Sequence, residues 1–392
     1  MKFLGKPRRQ ATPELVGGAV VVGAAIAVLT WKLPVLVKGA AAVESQLQPL
    51  RAAVTSLWDN PVNLGQKLAE IFVTALSPHG GITTARLGSV LLALATICLM
   101  YWLLVRWYGV RNAVIGGLLT ATATWFLHAG RLATPDSIYM LAIILILAMS
   151  SLWHQTNRPR WLLYTSAIVG SILLYSPGVI WLLGALIFIE RDHIWADIRS
   201  AKTHALGAGA LTAALLAPMV HTLIHNWHIA ALYLGVPTHA EPLQLLKQIA
   251  VVWPHIFIKG PIDPARNLAD LPLLTIFTTV MFLLGLYLFV KHREANRSRL
   301  LLALWLIGTL LVGLGLVPLV VLLPLVLMVA TGGIGYFLQL WLKTFPRNPL
   351  ARWFGFGLIW LLLSLAMLFN LRSYFIAWPH ASETRATFVQ RR

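Results

Sequence analysis

Long apolar runs are the feature that most constrains how this chain folds. A helix needs roughly 20 apolar residues to cross a bilayer. The chain has 392 residues, 58% of them hydrophobic and 11% charged, which is more apolar surface than a water-soluble core buries. The sequence therefore predicts an all-α polytopic membrane protein, a single transmembrane domain over residues 1–392 with about eleven transmembrane helices. Their approximate bounds are 15–37, 82–105, 112–129, 137–153, 161–175, 177–189, 205–223, 272–290, 300–316, 318–341 and 352–371.

Basic residues between these runs predict how the chain is oriented. The formal net charge of +18 comes largely from Lys and Arg in short loops and at the chain ends, with no basic helix, so no nucleic-acid partner is predicted. A cytoplasmic N-terminus puts most basic loops inside, as the positive-inside rule requires. The first run is then a retained signal anchor in the inner (plasma) membrane. Residues 38–81, residues 224–271 and the C-terminal tail fall on the extracytoplasmic side.

The two longer outer segments have different patterns. In 38–81, apolar residues recur every three or four positions from Val43 to Leu57, which predicts an amphipathic helix along the membrane surface. A second short helix is predicted from about 64 to 76, after Asn60-Pro61. The segment 224–271 is rich in aromatic residues, histidine and proline, so we expect short interfacial helices and turns there.

The stretch Gly130-Arg131-Leu132-Ala133-Thr134-Pro135-Asp136 joins two apolar runs at the predicted outer surface. In one interpretation Asp136 caps the next helix while Arg131 extends to lipid head groups. In the other, Arg131 binds an anionic phosphate, and Asp136 binds a substrate hydroxyl, a metal or a basic side chain. The local sequence leaves both open.

Other charged residues on the predicted outer side likewise have a structural and a functional interpretation. Glu44, just after the first run, is either a solvated carboxylate at a helix start or a general base at the mouth of a membrane cavity. Asp59 is a second acid of this kind, although its place before Asn60-Pro61 is typical of a turn. Four cations are either ligands for a lipid phosphate or solvated loop charges: Lys67, Lys247, Lys259 and Arg266.

Metal and redox motifs are weak in this sequence. His221, His225 and His228 have a spacing that two or three metal ligands sometimes share, but interfacial histidines near the end of a span are commoner. The single cysteine, Cys98, lies in an apolar run, so it forms no disulfide framework and no CxxC motif. Phosphate-binding glycine loops and the common hydrolase signatures are absent from the sequence.

Three stretches of the chain are similar to one known superfamily. They begin with Ala85-Arg86-Leu87-Gly88-Ser89, which leads to Val105-Arg106-Trp107-Tyr108-Gly109, and continue with Gly130 to Asp136 and with Leu173 to Gly178. They resemble the GT-C membrane glycosyltransferases, in particular the protein O-mannosyltransferase and lipid A aminoarabinose transferase branch. The middle stretch, similar to that family's GRLATTD, is the most specific of the three.

The resemblance implies a function. In this family a polyprenyl-phosphate carrier supplies the sugar, and an acid in the first outer loop activates the acceptor hydroxyl. It implies Glu44 and Asp136 as catalytic carboxylates, and substrate- or phosphate-binding roles for Arg131, Lys67, Arg86 and Lys259. The implied partners are a polyprenyl-phosphate-sugar donor, the lipid bilayer and a hydroxyl acceptor that is a lipid, a glycan or a protein. No cofactor is assigned, and a divalent cation is left open.

Departures from the family pattern support a rival interpretation. Val43 stands where the family usually has an Asp before the Glu, and Gln66-Lys67 keeps only the Lys of an EKPP passage. The Lys of the family's TKGP is missing at Tyr175-Ser176-Pro177. The alternative is therefore a catalytically inactive relative that binds lipid-linked sugar or scaffolds a cell-envelope assembly. A transporter is less favoured, since the sequence has no evident inverted repeat and no paired midplane charges.

Overall fold

The computed structural model describes residues 11–33, 36–37, 39–44, 57–58, 60–77, 81–155, 159–234, 242–268 and 270–388. Its regular elements are all helices, which confirms the predicted class. We number the α-helices in chain order: α1 Ala11–Thr30, α2 Leu64–Leu76, α3 Gly81–Tyr108, α4 Val110–Thr122, α5 Thr124–Arg131, α6 Asp136–Trp153, α7 Trp161–Leu174, α8 Val179–Ser200, α9 Lys202–His225, α10 His228–Leu234, α11 Pro242–Phe257, α12 Ile276–Lys291, α13 Asn296–Gly313, α14 Leu323–Thr344, α15 Pro349–Arg372, α16 Trp378–His380 and α17 Ser382–Thr387.

The multi-pass prediction is confirmed, but the count of eleven spans is not. Six helices among the described residues are long and apolar enough to cross a membrane, or seven if α4 and α5, bent by 62° at Ala123, form one span. The helices α7 and α12 are apolar but have only 14 and 16 residues. At 1.5 Å per residue they reach about 21 and 24 Å, short of the roughly 30 Å hydrocarbon core. The count of eleven therefore stays a prediction.

Two helices, α6 and α14, lie at the centre of the bundle with most of their residues buried. The helices α14 and α12 pack against each other at positions where both have a glycine. A Cβ atom on Gly333 would lie 1.9 Å from the Met281 carbonyl oxygen, and one on Gly285 would lie 1.9 Å from that of Val329. Glycine is required at both positions because the two backbones approach too closely for any side chain.

Within the described residues, the segments 38–81 and 224–271 agree with the sequence prediction. The short helix expected at about 64–76 is α2, Leu64–Leu76. The segment 224–271 contains α10, α11 and an irregular stretch after Phe257, which matches the predicted short helices and turns. Most of the amphipathic helix predicted from Val43 to Leu57, and Asp59 as well, lie outside the described residues. They stay predictions.

Candidate active site

The turn 132–135 joins α5 to α6 and is held from two sides. The Ala133 backbone N–H donates to Glu44 Oε1 over 3.2 Å, and the Ser89 hydroxyl on α3 lies 3.5 Å from the Thr134 carbonyl oxygen. The turn is buried almost throughout. Asp136 therefore begins α6 at a fixed position, and we call this end of the bundle the Asp136 end. We call the other end of α6 the Trp153 end. It lies roughly 27 Å away, since α6 has 18 residues.

Glu44 forms a closed ion pair with Arg86 of α3. Arg86 donates through Nε to Glu44 Oε1 over 2.8 Å and through Nη2 to Oε2 over 2.9 Å. The Ala41 N–H also donates to Oε2, and Nη2 donates to the Gly39 carbonyl oxygen as well. Both side chains are buried, at 0% and 2% exposed. Every carboxylate oxygen is thus occupied by at least two donors, an arrangement that joins the loop after α1 to α3.

Arg131 at the end of α5 is used inside the fold. It donates to the carbonyl oxygens of Val28 and Trp31, each over 2.6 Å, and these are among the carbonyl groups left unpaired at and just after the end of α1. Its guanidinium also lies over the rings of Tyr374 and Phe375. Arg131 is buried and holds three segments together, and its phosphate-binding role stays a prediction.

Asp136 forms a second ion pair, with Arg266, and this pair is open. Arg266 Nε lies 2.9 Å from Asp136 Oδ2, but the two groups are not oriented as a hydrogen bond. The other oxygen, Oδ1, is buried and forms no hydrogen bond of regular geometry among the described residues, although the Thr134 hydroxyl lies close enough to stabilise the carboxylate. The Asp136 side chain is 5% exposed, whereas that of Arg266 is 36% exposed, with Asp263 3.6 Å from its Nη1. Asp136 Oδ1 can therefore still accept a hydrogen bond, and the exposed part of the Arg266 guanidinium can still donate one.

The loop that carries Arg266 is rigidly folded. Asn267 Nδ2 donates to the carbonyl oxygens of Pro261 and Leu271, and Asp263 Oδ1 accepts from the Ala265 N–H over 3.0 Å. The Trp378 indole N–H donates to the Pro264 carbonyl oxygen over 2.9 Å. The C-terminal segment therefore fixes the loop against α6 and fixes Arg266 beside Asp136.

A small cavity of about 20 Å³ lies beside Arg266, which is room for about one water molecule. Its lining includes His128 of α5, Thr124 and Asn370. His128 is buried between the rings of Tyr374 and Trp378, with centroids 4.7 and 4.6 Å away. Neither of its ring nitrogens has a hydrogen-bond partner among the described residues. This buried imidazole is a polar group that the sequence analysis did not single out.

The remaining predicted cations are engaged at the rim of the Asp136 end. Lys67 donates to the Asn60 carbonyl oxygen, and burial lowers the pKa of its ammonium group, with Glu70 acting in the opposite direction. Lys259 pairs with Asp270 over 3.1 Å, and both are about 60% exposed. Two predicted cations therefore lie against buried catalytic candidates, Arg86 against Glu44 and Arg266 against Asp136, and of these two Arg266 is the partly exposed one.

Candidate metal ligands at the Asp136 end do not form a centre among the described residues. Asp136 and Asp263 are separated by the Arg266 guanidinium, and Glu44 is enclosed by donors. A divalent cation here would have to displace an arginine, so we derive no step through a metal. The predicted histidine group is exposed, with the His221 and His225 ring centroids 4.3 Å apart and their planes tilted by 36°.

The sequence analysis placed Asp136 and Arg266 in the same outer region but did not pair them. Their numbers differ by 130 positions, and no local spacing connects a helix start to a distant loop. The available signal was Arg266 itself, a cation in a proline-rich loop near the membrane surface. Nothing in the sequence marked His128 as a site residue except its position three residues before Arg131.

Comparison with known proteins gives a family segment and a fold. The sequence profile of the dolichyl-phosphate-mannose-protein mannosyltransferase family matches residues 68–221. No curated protein sequence matches the chain. Two solved structures are similar: ArnT from Cupriavidus metallidurans in the apo state, with 13% identity and a TM-score of 0.54, and ArnT from the same organism bound to undecaprenyl phosphate, with 12% identity and a TM-score of 0.57. Each alignment covers 96% of this chain and 77% of the ArnT chain.

These findings confirm the resemblance to GT-C membrane glycosyltransferases of the mannosyltransferase and ArnT type. At such low identity the structural likeness shows the fold alone. The matched family segment contains Arg86, Arg131 and Asp136, whereas Glu44 and Arg266 lie outside it.

Proposed function

We propose that this chain, which has the fold of the GT-C membrane glycosyltransferases, transfers a sugar from a polyprenyl-phosphate-linked donor to a hydroxyl acceptor. The donor class is supported by the family whose profile matches, which uses dolichyl-phosphate mannose, and by the undecaprenyl phosphate bound in the similar ArnT structure. The acceptor is a lipid, a glycan or a protein. The topology predicted from the basic loops puts the reaction on the extracytoplasmic side.

The observation that carries the proposal is the open pair of Asp136 and Arg266. A buried carboxylate oxygen without a hydrogen bond of regular geometry is costly, so its retention requires a compensating role. Oδ1 of Asp136 is such an oxygen, and it lies beside a guanidinium whose other face reaches the surface. An acceptor hydroxyl that donates to Oδ1 would satisfy the carboxylate.

The chemistry then follows from the two charges. The acceptor oxygen attacks the anomeric carbon and forms the new C–O bond as its proton passes to Asp136. The bond from the anomeric carbon to the phosphate oxygen breaks, and its electron pair leaves with the polyprenyl phosphate. Arg266 stabilises the negative charge that grows on this leaving group, while Asp136 acts as the general base. The attack from the opposite face inverts the anomeric centre.

Glu44 has a different place in this proposal. The sequence analysis named it as the base, and that role stays a prediction. Its two oxygens already accept from Arg86, Ala41 and Ala133, and a base needs a lone pair directed at the acceptor hydroxyl. We therefore assign to Glu44 the positioning of the turn that leads to Asp136.

The closed Glu44 pair also favours a second candidate, the inactive relative that binds lipid-linked sugar. If the general base in this fold has to lie in the loop after α1, this chain has no base, because Val43 cannot accept a proton and both Glu44 oxygens are already occupied by donors. Such a protein would keep the lipid-phosphate contact of Arg266 and lack turnover.

One assay separates these candidates. The purified full chain in detergent is incubated with a panel of undecaprenyl-phosphate sugars and a bacterial membrane extract as the acceptor source. Mass spectrometry follows glycosylated product and released undecaprenyl phosphate. A transferase gives both in equal amounts. A folded protein that binds undecaprenyl phosphate but releases none from any donor supports the inactive relative.

A further inference from the structure

A cluster of two histidines and one glutamate lies at the Trp153 end, far from the site described above. His154 follows α6 directly, and Glu190 and His193 lie one turn apart on α8. One ligand atom from each residue lies within 4.8 Å of the others. Among the described residues, this is the one group of three such side chains close enough to share an ion.

Glu190 is the unusual member of the cluster. Its side chain is 0% exposed, and a fully buried carboxylate is costly unless charges or hydrogen bonds compensate it. Oε1 accepts from the Ser150 hydroxyl over 2.6 Å and lies 3.6 Å from His154 Nδ1. Oε2 is buried without a hydrogen-bond partner among the described residues. The carboxylate therefore has one oxygen that nothing described satisfies.

Both histidines are positioned around this carboxylate. The His154 and His193 rings meet edge to face, with centroids 4.8 Å apart. His154 is also held by its own contacts, since Nδ1 lies 2.9 Å from the Ser150 carbonyl oxygen and Nε2 lies 2.7 Å from Asn296 Nδ2. Coordination through Nδ1, the nitrogen nearer Glu190, requires Nδ1 to release the Ser150 carbonyl and Nε2–H to donate to the Asn296 amide oxygen, the outer contact that metal-bound histidines commonly have. The side chain of His154 is 34% exposed, which gives an ion a path in from the surface.

We propose that His154, Glu190 and His193 bind a divalent transition-metal ion of the Zn²⁺ class. Two imidazoles and one carboxylate are a ligand set that zinc uses, with a water in the fourth position. Ligand atoms about 2.0–2.2 Å from a tetrahedral ion lie roughly 3.3 Å from one another. The ligand atoms of the cluster lie within 4.8 Å of one another, so binding an ion requires them to move closer together. The ion supplies the charge that Glu190 Oε2 lacks and links the end of α6 to α8.

The site is independent of the proposed transfer reaction. It lies at the opposite end of α6 from Asp136, and none of its ligands belongs to the Glu44 or Asp136 pairs. A metal here stabilises the packing of α6, α8 and the start of α13, to which Asn296 belongs.

The test uses the full-length protein purified in detergent through an affinity tag without histidines. To remove a competing pair of neighbouring exposed imidazoles, all samples carry His221→Gln and His225→Gln. After treatment with chelator, the protein is titrated with Co²⁺ and followed by visible absorption, and then with Zn²⁺ against a chromophoric chelator. Glu190→Gln and His193→Gln are compared with His204→Gln, a matched change of a histidine outside the cluster.

The proposal predicts one Co²⁺ per chain with ligand-field bands that Zn²⁺ removes, and a higher midpoint of thermal unfolding with Zn²⁺ bound. Loss of a second-shell partner costs a metal site about 10–100-fold in affinity, so loss of a ligand in Glu190→Gln or His193→Gln should weaken binding at least as much. His204→Gln should bind as the parent does. No stoichiometric binding by the parent, or equal affinity in all three variants, overturns the proposal.

Discussion

Two carboxylate–arginine pairs lie near the turn 132–135 at the Asp136 end. They differ in how many of their hydrogen-bonding groups have partners. Glu44 and Arg86 form two hydrogen bonds below 3.0 Å, with further donors from the backbone. Asp136 and Arg266 approach to 2.9 Å without regular hydrogen-bond geometry, and Oδ1 has only the nearby Thr134 hydroxyl to stabilise it among the described residues. The same two functional groups thus form a closed pair and an open pair.

The difference separates a structural role from a functional one. A buried ion pair with every lone pair used contributes to the fold and has nothing left to offer a substrate. A pair with a carboxylate oxygen and a partly exposed guanidinium that are not fully hydrogen-bonded still has interactions to make, and in our proposal the substrate provides them. We therefore expect changes to the closed pair to lower stability, and changes to the open pair to lower binding or activity.

The largest expected effect on stability comes from Arg86→Met. The substitution leaves the Glu44 carboxylate buried without its partner, which typically costs about 3–5 kcal/mol. The free energy of unfolding is measured by titration with a denaturing detergent in mixed micelles. As a control, Glu44→Gln combined with Arg86→Met should recover part of the loss, because no buried charge remains. An unchanged unfolding free energy in Arg86→Met would show that this pair does not hold the fold.

A smaller effect is expected from Arg266→Gln, and on binding rather than stability. Hydrogen bonds to charged groups contribute about 1.5–3 kcal/mol, so losing the guanidinium should weaken the binding of undecaprenyl phosphate by about 10–100-fold. Arg266→Lys keeps the charge and should retain part of the affinity. Binding is measured by native mass spectrometry in detergent. Equal affinity in the parent and Arg266→Gln would remove Arg266 from the lipid-phosphate site.

The smallest effect is expected from Lys259→Gln. The Lys259–Asp270 pair is about 60% exposed, and exposed pairs contribute about 0–1 kcal/mol. Both the unfolding free energy and undecaprenyl phosphate binding should stay close to the parent values. A loss of affinity as large as that of Arg266→Gln would return Lys259 to the phosphate-binding role predicted from the sequence.

The helical membrane class, the GT-C resemblance and the position of Asp136 at a helix start were all predictable from the sequence, because they depend on local composition and short motifs. The partners of the charges were not. Arg131 sits in the most specific motif, yet it binds carbonyl oxygens at Val28 and Trp31, about 100 positions away. Arg86 and Glu44 were both named as site residues, but nothing local predicts that they neutralise each other.

The histidine cluster was missed for the same reason. His154 follows one helix and Glu190 lies inside another, and their apolar surroundings give no metal-binding spacing. The spacing that the sequence did offer, at His221 and His225, belongs to two exposed imidazoles in a tilted ring contact. Contacts between distant segments depend on helix packing, which periodicity alone does not specify.

The central claim is that the open pair, rather than the closed one, carries the transfer reaction. Its most direct test compares Asp136→Asn with Glu44→Gln, measuring released undecaprenyl phosphate per folded molecule together with the unfolding free energy. Loss of a general base typically costs about 10²–10⁴-fold, so Asp136→Asn should lose transfer on that scale with little change in stability. Glu44→Gln should unfold more easily while its folded fraction keeps transfer within about threefold of the parent, since the base at Asp136 remains. Full transfer in Asp136→Asn, with transfer abolished in folded Glu44→Gln, would contradict the account and place the base in the loop after α1.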